Sequence, residues 1–227
     1  MPITLNEIKK LSVDFPDSTF ALDIHDPSLL HIYLKVNHIY NDFRVNEFFE
    51  IDVRIPLGYP YEIPDVMEVG NKIDSKYEHR YTNGQLCLGT NSEIMLNCCG
   101  TITMTYLINS YIIPYLFSYR YYERYKEYPF GDRSHGATGI VEAWMEAFGV
   151  KYSNEAYDII KYAVIHPYRG HLPCPCNSGK KTRDCHPVSA KLLEKLNNKS
   201  IKKILLKDLK IIQDEVSYYE RNRRKAK

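Results

Sequence analysis

Tyr77-Glu-His-Arg-Tyr-Thr-Asn-Gly-Gln-Leu-Cys-Leu88 is the stretch on which the reading of this chain turns. Asn83-Gly84 is a turn-forming pair, because both residue types tolerate a positive φ. Cys87 follows it between the apolar Leu86 and Leu88, and His79 lies a little upstream. A thiol after a tight turn, with an imidazole close in sequence, suits a nucleophile. It equally suits an ordinary buried cysteine, since unoxidised Cys is among the most buried residue types. Local chemistry leaves both readings open.

Upstream lies Pro56-Leu-Gly-Tyr-Pro-Tyr-Glu-Ile-Pro64. Proline fixes φ and removes an N–H, which excludes a helix or a central strand and predicts a rigid extended crossing. A short strand is expected after it, near Val66 to Val69. Three earlier segments read as strands: Thr19 to Ile24, His31 to Val36 and Phe48 to Ile55, with Asn41-Asp42 in the loop between the last two. At the N-terminal end, Thr4-Leu-Asn-Glu7 has capping-box spacing. Leu5, Ile8 and Leu11 recur at helical intervals, predicting a helix that stops near Phe15-Pro16-Asp17.

Downstream, Thr101 to Tyr122 reads as a helix kinked or broken at Pro114. The aromatic residues between Tyr106 and Tyr125 read as packing. Cys98-Cys99 read as structural or incidental thiols, near enough to Cys87 in sequence to allow a redox disulfide, and His135 as a helix cap or a group approaching the Cys87 site. Helices are expected over Ile140 to Phe148, which carries Trp144, and from Ser153 or Asn154 to about Ile165. From Ser189 onward Leu192, Leu193, Leu196, Ile204, Leu205, Leu209 and Ile212 keep helical spacing.

The bulk numbers describe a globular chain: 227 residues, 44% hydrophobic, 26% charged, with a net charge of +2. That length suits one domain with appendages, or two small ones. No apolar run is long enough to span a bilayer, and the first residues lack a signal-peptide pattern. The six cysteines are not spaced as a disulfide framework, which favours a reducing compartment, the cytoplasm by default. Charge is uneven. From Val188 on, 12 Lys and Arg face 5 Asp and Glu, so a basic tail follows a net acidic body.

The sharpest local signal is Pro173-Cys-Pro-Cys-Asn-Ser-Gly-Lys-Lys-Thr-Arg-Asp-Cys-His-Pro187. Cys174, Cys176, Cys185 and His186 form a Cys3His set, which matches a closed structural zinc site with no position left for a catalytic water. So polar a segment cannot bury enough surface to fold unaided, and a metal would supply the missing stabilisation. The pattern resembles the SEC-C zinc-binding motif, an accessory that the resemblance associates with protein contacts.

Tyr59-Pro-Tyr-Glu-Ile-Pro-Asp-Val66 followed by Asn83-Gly-Gln-Leu-Cys-Leu88 resembles the ubiquitin-conjugating (UBC-like) family, whose pattern is Y-P-F-x-P-P-x-V, then H-P-N, then N-G-x-[IL]-C-L. The resemblance spans roughly residues 3 to 125. It implies an α+β fold: a UBC-like antiparallel β-meander packed on helices, here with a C-terminal SEC-C zinc motif and a basic helical tail. The implied organisation is a UBC-like domain over 1–165, the zinc motif over 166–187 and the tail over 188–227.

In that family the cysteine accepts a ubiquitin-like C-terminus as a thioester and passes it to an amine. The resemblance therefore implies a transferase with Cys87 as nucleophile. The family's H-P-N falls on Tyr77-Glu78-His79, so His79 stands where the family has its oxyanion-stabilising asparagine. An imidazole can donate to an oxyanion or take a proton from an attacking amine. Glu78 is a second candidate base and Asn83 a secondary donor.

A UBC-like domain, the segment Tyr128-Pro-Phe-Gly-Asp-Arg-Ser-His-Gly136 and a SEC-C motif together resemble bacterial proteins of CBASS anti-phage operons. The implied partner is a cGAS-like nucleotidyltransferase whose C-terminus is conjugated. No Gly-rich nucleotide loop is visible, which calls for a separate activating enzyme or another route to the thioester. The competing readings are a non-catalytic UBC-like adaptor that docks protein partners, and nucleic-acid binding through the basic tail. The leucine and isoleucine spacing of the tail speaks for a packed helix instead.

Overall fold

The computed structural model describes residues 3–98, 100–131, 134, 136–185, 194 and 197–225, with side chains described as far as 215. The chain forms two compact units. One comprises Met1–Gly89 with Thr101–Asp132, the other Thr90–Gly100 with Arg133–Lys227. The fold is mixed α and β, with a four-stranded antiparallel sheet, as the α+β expectation requires.

The first unit opens with helix α1 (Leu5–Asp14). Thr4 caps it, its hydroxyl accepting the Glu7 N–H at 3.2 Å. The other half of the expected capping box goes elsewhere: the Glu7 carboxylate accepts the Tyr59 O–H and the Met104 N–H. A local signal in sequence thus serves a long-range tie.

The sheet is a meander in the order β1 (Thr19–Leu22), β2 (Leu29–Tyr40), β3 (Phe43–Arg54), β4 (Asp65–Glu68). β2 and β3 run past their predicted ends to meet at a two-residue turn, where Asn41 and Asp42 have φ of 46° and 61° and Tyr40 pairs with Phe43. Two central residues in the left-handed region give the turn whose twist suits a hairpin. The arms lack clean alternation because aromatic contacts hold them: Phe43 meets Phe117, Tyr121 and Tyr125, and His38 lies edge-on to Phe117.

One sheet face supplies Leu30, Ile32, Leu34, Phe49, Ile51 and Val53 to the core, all at most 3% exposed. The helical segment after residue 101 packs there, with Leu107, Ile112, Leu116 and Phe117 buried. It runs as α3 (Met104–Leu107), a π turn (Ile108–Ile112) and α4 (Ile113–Tyr125). The helix neither breaks nor stops at Pro114. Its proline lacks an N–H and would crowd the carbonyl four residues back, and the wider π turn just before it absorbs that misfit.

The Pro-rich segment is not a straight crossing. It bends through two consecutive turns, closed by Tyr59 N–H to Pro56 O at 3.1 Å and Tyr61 N–H to Gly58 O at 2.8 Å, with a cis Tyr59–Pro60 bond.

The second unit is helical: α2 (Asn91–Asn97), α5 (Gly136–Phe148), α6 (Ser153–Ile165), a single turn α7 (Thr182–Cys185) and α8 (Lys199–Lys225). Trp144, Phe148, Ile159, Ile160, Ile201 and Leu205 form its core. The basic tail is therefore a packed helix over its described side chains. Ile201, Leu205, Leu209 and Ile212 are buried on one stripe, and the polar Asp208 sits among them at 5% exposure. Trp144 Nε1–H donates to the Ser92 hydroxyl at 3.0 Å. Ser92 in turn bonds Asp208 with its hydroxyl and its N–H, while Oδ2 of Asp208 is buried without a partner among the described residues.

Candidate functional site

The turn around Asn83-Gly84 decides where Cys87 lies. The Gly84 N–H donates to Tyr81 O at 2.9 Å, and the Tyr81 N–H donates to Gln85 O at 2.8 Å. These two bonds close a three-residue hairpin loop, with Gly84 at φ +88° where a side chain would be strained. Asn83 turns its Oδ1 inward to accept the Gln85 N–H at 3.1 Å, reinforcing the turn. The hairpin register follows: Arg80 pairs with Leu86, and the Cys87 N–H donates to His79 O at 2.8 Å.

The returning arm is also tied to the sheet. Met67 pairs with Gln85, the Leu86 N–H donates to Val66 O at 2.8 Å, and Gln85 Nε2 donates to Asp65 Oδ1 at 2.8 Å. Successive N–H groups of Leu86 and Cys87 thus point to opposite neighbours, as in a strand. Leu86 is anchored in the core at 3% exposure, and the Cys87 side chain is half-buried.

At the sulfur stands a residue that the sequence reading did not single out. The Tyr81 hydroxyl lies 3.4 Å from Cys87 Sγ, positioned to donate to it. That contact, then partial burial, pushes the Tyr81 phenol up to about 12, so it stays protonated at neutral pH. The turn itself carried a signal for this neighbour: a hairpin closed at Asn83-Gly84 sets 81 against 85 and 79 against 87, with the tyrosine diagonal to the thiol.

His79 is joined to Cys87 through its main chain. Its carbonyl accepts both the Cys87 N–H and the Tyr115 O–H, the latter at 2.9 Å. Its ring lies edge-on to Tyr77 and Tyr128, with centroids at 5.4 Å and 5.0 Å. Tyr77 is buried against Tyr115 and Tyr119, and Tyr122 stacks on Tyr128 at 4.8 Å. Tyrosines expected to serve packing alone therefore split in two. Tyr121 and Tyr125 of α4 hold the β2–β3 hairpin at Tyr40 and Phe43, while Tyr115, Tyr119 and Tyr122 surround Tyr77 in the His79 segment. Glu78, the other candidate base, accepts the Tyr128 O–H. Burial and then that carboxylate raise the Tyr128 phenol well above its ordinary value.

The late cysteines meet as a group of their own within the second unit. Cys174, Cys176 and Cys185 place their sulfurs within 4.8 Å of one another, with Cys174 buried. A bridge between Pro173 and Lys181, the bond Cys174 N–H to Lys180 O at 2.8 Å, and Asn177 and Gly179 at positive φ fold the segment back. The turn α7 then presents Cys185. Cys176 and Cys185 sulfurs are 3.4 Å apart, and the Ser178 hydroxyl is 2.9 Å from Cys185 Sγ.

Burial drives the Cys174 thiol up to about 12, with the neighbouring thiols adding to the rise, the environment that a cation would reverse. Three sulfurs at these separations are close to the edges of a metal–thiolate tetrahedron, so the group can hold a metal ion. His186, the expected fourth ligand, lies outside the described residues, as do His135 and Cys99. Cys98 donates to Met95 O at 3.5 Å.

No disulfide occurs among the described residues, and none of their helices is long and apolar enough to cross a membrane. Compared with protein-family models, with curated proteins and with solved structures, the chain matches none of them.

Proposed function

We propose that this chain is a UBC-like cysteine acyl carrier. Cys87 accepts the C-terminus of a protein as a thioester and passes it to an amine or another nucleophile. The observation that carries this reading is the setting of Cys87: a half-buried thiol on the returning arm of a turn, tied to a sheet edge, with the Tyr81 hydroxyl 3.4 Å from its sulfur. A thiol meant only for packing does not call for a protonated donor beside it. The preceding order of helix, antiparallel meander and Pro-rich turns suits the same family resemblance.

The conjugated protein, on the resemblance to CBASS operon proteins, is a cGAS-like nucleotidyltransferase in bacterial anti-phage defence. A separate activating enzyme supplies the first thioester. Cys174, Cys176, Cys185 and His186 hold a structural zinc ion as a SEC-C motif, and its work is to fold that segment.

Transthiolation needs little from Cys87 beyond access and a fraction of thiolate, because the incoming thioester is already activated. The second step needs the acceptor amine to lose a proton, for which His79 is the candidate base, with Glu78 beside it. The test is co-expression with a cGAS-like nucleotidyltransferase and a ubiquitin-like-activating enzyme, followed by non-reducing electrophoresis. The expected result is a reductant-sensitive adduct that Cys87→Ser converts to a reductant-resistant ester or abolishes. Full conjugation by Cys87→Ala would refute the assignment.

A further inference from the structure

We infer that the Tyr81 hydroxyl is a catalytic residue of the Cys87 site: it donates a hydrogen bond to the oxyanion that forms on an acyl carbon bound to the Cys87 sulfur. The inference rests on the acyl-carrier reading above and adds a role that the sequence had offered to His79 and Asn83. Three observations support it, and they are geometric.

The first is proximity. Tyr81 Oη is 3.4 Å from Cys87 Sγ. The carbonyl oxygen of a thioester is two bonds from its sulfur, so a donor in contact with the sulfur is in reach of that oxygen. The second is the commitment of competing groups. The Leu86 N–H is given to Val66 O, and the Cys87 N–H is given to His79 O. The amides of Cys87 and of the residue before it are therefore engaged in the fold. The third is pre-organisation. Both the N–H and the C=O of Tyr81 are held by the closed turn, so its ring projects from a fixed base. The ring is 53% exposed, which leaves an approach for an incoming chain end. A donor fixed before reaction costs no reorganisation as charge develops.

The chemistry balances without any further reagent. In loading, the Cys87 thiolate attacks the carbonyl carbon of a peptide thioester. A C–S bond forms, the π pair moves onto oxygen, and Tyr81 O–H meets that charge. The oxyanion collapses, the donor's C–S bond breaks, and the donor thiolate leaves and takes up a proton equivalent to the one Cys87 released to solvent. In discharge, an amine nitrogen attacks the same carbon, and the oxyanion forms in the same place. The C–N bond forms, the C–S bond to Cys87 breaks, and the amine's proton ends on the departing sulfur. Tyr81 keeps its own proton throughout.

The experiment compares two probes on the full chain. A synthetic peptide ending in Gly-Gly as a mercaptoethanesulfonate thioester reports acylation of Cys87, which passes through an oxyanion. Iodoacetamide reports alkylation of the same sulfur, which does not. Tyr81→Phe keeps the ring and removes the O–H, and its melting temperature serves as the folding control. Acylation is expected to fall about tenfold, less than for a fully enclosed donor because the ring is half exposed. Alkylation should stay within about threefold, since thiolate fraction and nucleophilicity offset each other. Equal changes with both probes, or unchanged acylation, would overturn the inference and leave the carrier reading standing. Failure of the thioester to acylate Cys87 in the unsubstituted chain would remove the carrier reading itself, and the inference with it.

Discussion

The Cys87 N–H donates to the His79 carbonyl at 2.8 Å, so thiol and histidine are fixed to one another by main chain, independently of where the imidazole points. The imidazole itself is edge-on to Tyr77 and Tyr128. A substitution at 79 therefore leaves the backbone register intact and tests the ring alone. His79→Ala should slow transfer from Cys87 to an amine by about a hundredfold, the low end for loss of a general base. Loading of Cys87 should change less. Alanine also removes two aromatic contacts worth about 0.5–1.5 kcal/mol each, so His79→Phe is the control that keeps the packing. Single-turnover loading and discharge rates check this, and equal discharge by both variants and the parent chain would dismiss a catalytic role for the ring.

Gly84 closes the turn that sets this register, at φ +88°. An added Cβ would meet nothing closer than Arg80 Nη2 at 3.7 Å, so the cost of Gly84→Ala is backbone strain and not collision. A loss of about 1–2 kcal/mol is expected, read as a lowered midpoint of chemical unfolding. Iodoacetamide labelling of Cys87 should change with it, because the turn sets the Tyr81–Cys87 contact.

The α1 boundary and the core strands were legible in the sequence because their signals are local. Thr4 caps where the spacing says it should, and Leu30, Ile32 and Leu34 alternate into the core. What the sequence hid depends on partners far along the chain. Glu7 has the spacing of a capping-box acid, yet it serves Tyr59 and Met104. The hairpin arms around Asn41-Asp42 lack alternation, because Phe43 and His38 are held by aromatic residues of α4 and not by an apolar face. Pro114 signalled a break, but a π turn before it keeps the helix continuous. At the site, Cys87 and the Asn83-Gly84 turn are plain in the sequence, whereas Tyr81, whose hydroxyl lies 3.4 Å from the sulfur, is not. Its importance lies in hairpin register, which a residue-by-residue reading does not count.

The cysteine group makes a separate prediction. Purified chain should carry one metal ion, measured by inductively coupled plasma mass spectrometry, and Cys174→Ser should lose it. Stripping the metal with a strong chelator should cost at least about 3 kcal/mol, a modest share of the binding energy of a structural zinc site. That corresponds to a drop of roughly 6–12 °C in melting temperature for a chain of this size. A folded, metal-free protein with an unchanged melting curve would remove zinc from the account.

Asp208 predicts how stability varies with pH. Burial raises its carboxyl to about 6, against its ordinary 3.8, while the bonds from Ser92 partly offset that rise. A group with a raised folded-state value stabilises most when protonated. Its contribution is complete below about pH 4 and is lost as pH climbs through about 6. Asp208→Asn removes the buried charge and keeps an acceptor for Ser92. It should therefore flatten the pH dependence between 4 and 6 and stabilise the chain at pH 7–8, by no more than about 3 kcal/mol. Urea midpoints of both chains across that range decide it. A variant less stable than the parent at pH 8 would mean that the charged carboxylate is better satisfied than its unpartnered Oδ2 indicates.

The most direct test of the central claim is tandem mass spectrometry of the non-reducing adduct formed with the activating enzyme and partner protein. The account predicts a thioester between the partner's C-terminal carbonyl and Cys87 Sγ, released by hydroxylamine at neutral pH and absent in Cys87→Ala. An adduct mapped to Cys98, to Cys99 or to the late cysteine group, or one that survives Cys87→Ala, would contradict it.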